Sequence, residues 1–147
     1  MSEHEGFSNE EWDTIREGPA IAGLMVVTAD AGGTLRETFA LARAYADARK
    51  QHGASALVDE IASKGPPRGR RFKSEDELRQ EGPNVLREAA GLAARRGAEE
   101  AQSYRAFVLS VAERVARAHK EQGAEISPRE QEALDTIAAS FDADAST

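Results

Sequence analysis

Residues 98–120, AEEAQSYRAFVLSVAERVARAHK, decide how this chain is organised. Ala101, Tyr104, Val108, Val111, Val115 and Ala118 follow one another at spacings of three, four, three, four and three, the seam of an amphipathic helix. Glu113, Arg114, Arg117 and Lys120 fall on the opposite side, where water solvates them and Glu113 stands one turn before Arg117. The spacing predicts one long helix around which the rest of the chain packs.

Outward from this stretch, helix starts and stops are marked by cap and break residues. Ser8 with Glu11 is a capping box, and Phe7 with Trp12 is the accompanying hydrophobic staple. Gly18 supplies a left-handed stop and Pro19 a fresh start, so a short helix to Arg16 is expected to hand over to an all-apolar, buried one from Pro19 to Thr28. Thr34 with Glu37 opens a helix to Gln51, and a shorter helix follows from Ser55 to Ser63. Ser74 with Glu77 restarts the pattern, Gly82-Pro83 divides it, and Gly97 separates it from the long helix. Ser127, Pro128 and Glu130 cap a last helix that carries Leu134, Ile137 and Phe141.

This reading gives an all-α, compact bundle of about eight helices. Residues 1–7 form a tail, 8–142 a single domain, and 143–147 a polar end with nothing apolar to dock. Within the domain two four-helix halves, 8–63 and 74–141, are joined by a basic linker over 64–73. The halves share the Glu-Gly-Pro junction at Glu17 to Pro19 and Glu81 to Pro83. Phe39, Leu41, Ala44, Ala48 and Arg49 match Phe107, Leu109, Ala112, Ala116 and Arg117 at a constant offset of 68. Chance alignment of alanine-rich helices is the competing account.

Composition bounds the chemistry. A chain of 147 residues with 40% hydrophobic but only 5% aromatic residues fits one helical domain with alanine at many packing positions. Without cysteine there is no disulfide framework, thiolate zinc site or thiol nucleophile. The acidic N-terminus lacks the basic and apolar regions of a secretory signal, and Ala20 to Ala29 is about half the ~20 residues that span a bilayer, so a cytoplasmic protein is expected. The net charge of −7 argues against general nucleic-acid binding. Residues 64–73, KGPPRGRRFK, carry five positive charges and no negative ones, which puts the remainder of the chain at −12. Arg68, Arg70 and Arg71 are therefore candidates for holding an anion or an acidic partner, with a solvated linker as the plainer alternative.

Two segments carry a family likeness. Asp30-Ala-Gly-Gly-Thr-Leu-Arg-Glu37 and Gly123-Ala-Glu-Ile-Ser-Pro-Arg-Glu130, the second followed by Ala133-Leu134 and Ile137-Ala138, resemble the helix-connecting motif of the tellurite-resistance TerB family. That motif reads Asp-Gly, two further residues, Ser or Thr, two more, and Glu ahead of an apolar helix. The resemblance implies a small all-helical, pseudo-symmetric unit whose acidic residues are linked to divalent-metal binding and to stress-related complexes. Carried onto this chain, it makes Asp30 and Glu37 candidate ligands for Ca²⁺ or Mg²⁺, while Gly123 stands at the acidic position of the second segment and leaves Glu125 and Glu130 there. Read from spacing alone, Glu37 and Glu130 are the third residues of capping boxes.

The three histidines do not form a constellation. His4 lies in the tail, and His52 and His119 stand near helix C-termini, where the helix dipole favours an imidazolium. No serine, lysine or histidine arrangement makes a nucleophile or a zinc site. The expected function is thus a non-enzymatic binding or scaffold domain, TerB-like in form, acting through contacts with a protein partner or a second copy. The alternative is a divalent-metal or small-ligand-binding stress-response protein.

Overall fold

The capping box at the start of the chain forms in both directions. The Ser8 amide donates to Glu11 Oε1 at 2.9 Å and the Glu11 amide donates to Ser8 Oγ at 3.1 Å. Phe7 and Trp12 are both buried, so the staple fixes how the chain enters its first helix. The computed structural model describes residues 7–27, 35–50, 55–64, 74–121 and 128–142. These form six helices: α1 (Asn9–Val27), α2 (Leu35–Lys50), α3 (Ala56–Lys64), α4 (Glu75–Ala94), α5 (Ala98–Glu121) and α6 (Pro128–Asp142). Among the described residues there is no strand, and no helix is long and apolar enough to cross a membrane.

Six helices rather than the expected eight follow from two places where a Gly-Pro pair does not break the chain. Pro19 lies inside α1 and Pro83 inside α4. A proline within a helix has no amide hydrogen for the carbonyl four residues back. In α1 that carbonyl belongs to Ile15, and the buried Tyr104 hydroxyl of α5 donates to it at 2.6 Å. Gly18 makes this possible, since a Cβ there would press into the Tyr104 hydroxyl and stand 3.2 Å from its Cζ. Gly82 has the equivalent spatial role in α4: a Cβ would stand 2.9 Å from Met25 Sδ and 3.5 Å from Ile21 Cγ2 of α1. Each glycine is therefore a close-approach residue inside a continuous helix. Tertiary contacts outweigh the local stop signal.

The expectation for α5 holds. It packs against all five other helices, most extensively against α1 and α2. Tyr104, Val108, Val111 and Val115 of the seam are buried, and so are Phe107, Ala112 and Ala116. The buried face is thus wider than a heptad seam, because neighbours lie on more than one side. Phe107 meets Tyr45 of α2 edge to face at 5.3 Å between ring centroids. Arg114 departs from the solvated face assigned to it and forms an ion pair with Asp47 of α2. Between α4 and α5 the turn depends on Gly97, whose φ of 115° is in the left-handed range, and the amides of Arg95, Arg96 and Gly97 close it onto Leu92, Ala93 and Ala94.

Among the described residues the six helices run 19, 16 and 9 and then 20, 24 and 15 residues, with a Gly-Pro pair inside the first and the fourth, and the expected two halves of four helices each are not seen. Packing does not repeat with that order. α1 lies along α5, whereas among the described residues α4 makes no comparable contact with α2.

Candidate binding cleft between α1, α4 and α6

The close approach of α1 and α4 shapes a cleft. With no side chain at Gly82, Met25 lies against α4, and Leu78 one turn earlier continues the same apolar floor. α6 supplies the remaining wall through Arg129, Glu132, Ala133 and Thr136, and Arg79 of α4 completes the rim. The cleft holds about 280 Å³ and opens to solvent. Close by in sequence, Leu24 is the one large hydrophobic residue that is exposed among the described residues, at 38%.

Electrostatics set this rim apart from the acidic body. Two arginines and one glutamate line the cleft in a chain whose net charge is −7. Arg79 lies 3.8 Å from Asp76 with both side chains largely in water, and a pair so exposed contributes little. Arg129 makes no ion pair among the described residues. The α4 backbone adds a further feature. Pro83 has no amide hydrogen for the Arg79 carbonyl, and among the described residues no side chain supplies the donor that Tyr104 supplies in α1.

The opposite end of the bundle is tied off by its own polar groups. Phe7 is flanked by the guanidinium groups of Arg95 and Arg96 at 5.3 and 5.0 Å from the ring centroid. Arg95 pairs with Glu11 at 2.8 Å, and Arg96 approaches Glu60 of α3 at 4.0 Å. The Ser8 amide and then Arg95 hold the Glu11 carboxyl below its ordinary range. The Arg114 hydrogen bond does the same for Asp47. Glu100 of α5 accepts from the Leu57 amide at 2.9 Å and so caps α3, together with Ser55, whose Oγ accepts from the Val58 amide at 3.1 Å. These charges serve the fold. Burial pushes the Tyr45 and Tyr104 hydroxyls above the usual tyrosine range, so Tyr104 stays protonated and acts as a donor.

Of the residues singled out from sequence, Asp30, Arg68, Arg70 and Arg71 lie outside the described residues, as do Thr34, Gly123, Ser127, His4 and His52. So do residues 1–6, 65–73 and 143–147 of the tails and linker. Glu37 sits in the first turn of α2 with its side chain outside the described set, and the His119 side chain is likewise outside it. Glu130, the capping candidate of α6, is buried at 2% exposure. Among the described residues no three His, Cys, Asp or Glu side chains converge as a metal ligand set. Sequence reasoning missed the cleft, because Met25, Leu78 and Ala133 hold ordinary apolar positions on three separate helices. The signal available was the glycine at position 82 inside an otherwise helical apolar pattern. Compared with protein families, with curated proteins and with solved structures, the chain has no match, so the likeness to TerB stands on its two short segments alone.

Proposed function

We propose that the chain is a non-catalytic helical binding module that acts through contacts with a protein partner, and that the cleft between α1, α4 and α6 is its contact surface. The observation that carries this reading is the open apolar floor of Met25, Leu78 and Ala133 between Arg79 and Arg129. Concave sites with an apolar floor and a few convergent polar groups are where proteins hold ligands and anchoring side chains. At the other end of the bundle Arg95 and Arg96 of the α4–α5 turn are already paired with α1 and α3, and Glu100 of α5 caps α3, so those groups are committed to the fold.

Selection of a random peptide library on the immobilised full chain tests the reading, with Ala133→Arg as the counter-screen and circular dichroism as the check that this variant folds. Enriched peptides that no longer bind Ala133→Arg support a contact surface at the cleft. A library that yields no binder, or binders indifferent to the substitution, sinks it.

A further inference from the structure

Resting on the reading of the cleft as the contact surface, we infer that its occupant is an acidic linear segment of a partner protein. One large apolar side chain of that segment seats on Met25, Leu78 and Ala133, and carboxylates beside it meet Arg79 and Arg129. Size is the first argument. A cleft of about 280 Å³ with Leu24 as the single exposed large hydrophobic residue among those described accommodates one anchor and its neighbours. Permanent interfaces instead resemble a domain core cut in half, with broad apolar area.

Charge is the second argument. The chain as a whole repels an acidic partner, yet its cleft is lined by two arginines against one glutamate. A guanidinium offers a planar fork that matches a carboxylate in a bidentate manner. Arg129 has no ion pair among the described residues to give up, and the exposed contact of Arg79 with Asp76 is easily exchanged. Attraction at the rim favours an acidic segment at the cleft over the acidic surfaces around it.

Fluorescently labelled synthetic peptides with a central leucine flanked by glutamates, by glutamines or by lysines test this directly, read by anisotropy on the full chain. The glutamate peptide is expected to bind about tenfold more tightly than the glutamine peptide and to lose about that factor with either Arg79→Glu or Arg129→Glu. Both substitutions are at exposed positions that leave the core untouched. Ala133→Arg should abolish binding, with Thr136→Arg on the same wall as the second blocking variant should Ala133→Arg not fold. Equal binding of the glutamate and glutamine peptides, unchanged by Arg129→Glu but lost in the blocking variants, overturns the acidic preference and leaves the cleft as contact surface. Failure of every peptide to bind, or binding that survives both blocking variants, overturns the contact surface and the acidic preference together.

Discussion

Replacing Tyr104 by phenylalanine removes one oxygen from the centre of the bundle and nothing else. The Tyr104 ring is fully buried, and its hydroxyl donates at 2.6 Å to the Ile15 carbonyl, the acceptor that Pro19 cannot serve. Because the ring itself remains, the loss is one buried hydrogen bond and an acceptor left without its donor, about 1–3 kcal/mol. At about 3 °C per kcal/mol for a chain of this size, Tyr104→Phe should lower the melting temperature by roughly 3–9 °C, measured by circular dichroism and confirmed by urea unfolding. Pro19→Ala supplies the control, because it restores an amide donor to Ile15. In that background Tyr104→Phe should cost less, and the double-mutant cycle should show a coupling above about 0.5 kcal/mol. Equal losses in both backgrounds would falsify the claim that the tyrosine stands in for the missing helical donor. Gly18→Ala extends the reasoning, since alanine is the better helix former by about 1 kcal/mol yet its Cβ presses into the Tyr104 hydroxyl. The expected sign is destabilising, and partly relieved by Tyr104→Phe.

Three further outcomes are expected. Val111→Asp places an unpaired charge at a fully buried position where α5 meets its neighbours, and should cost about 4 kcal/mol or more, seen as a collapsed or absent thermal transition. Gly97→Ala should cost about 1–2 kcal/mol for backbone reasons alone, since φ is 115° and a Cβ there meets nothing within 4 Å; an unchanged melting temperature would mean that the α4–α5 turn readily adopts another conformation. Glu11 and Asp47 have carboxyls held below their ordinary values of 4.5 and 3.8, so their pairing is complete at neutral pH and is lost as pH falls below that range. Melting at pH 7 and pH 3 should therefore show a smaller acid-induced drop for Arg114→Gln than for the unsubstituted chain, and equal drops would deny Asp47 any part in it.

How far the fold was legible depended on whether a residue's role is local. The capping box of Ser8 and Glu11, the staple of Phe7 and Trp12 and the turn at Gly97 involve residues no more than five apart in sequence; the capping box forms as its spacing dictates, both staple residues are buried, and Gly97 takes the left-handed conformation. The seam of α5 was legible for the same reason, while the burial of Phe107, Ala112 and Ala116 was not, because the width of a buried face depends on how many helices arrive to cover it. The cleft was hidden more deeply. Leu78 and Ala133 are ordinary apolar residues in the sequence, and only the docking of Met25 over Gly82 brings them into one surface open to solvent.

The two Gly-Pro pairs show why local signals divided the chain where the fold does not. In an isolated helix, proline removes a hydrogen bond and glycine weakens the backbone, so a boundary is the natural reading. In the bundle the same two residues solve a packing problem: glycine lets a neighbour touch the helix, and the carbonyl freed by proline becomes an acceptor for whatever touches it. At Gly18 and Pro19 the neighbour is Tyr104, and the acceptor is satisfied within the core. At Gly82 and Pro83 the neighbour is Met25, a thioether with no hydrogen to give, and the freed carbonyl belongs to Arg79 on the rim of the cleft. One sequence device thus lets a tyrosine close the interior at one helix and a methionine floor an open cleft at the other.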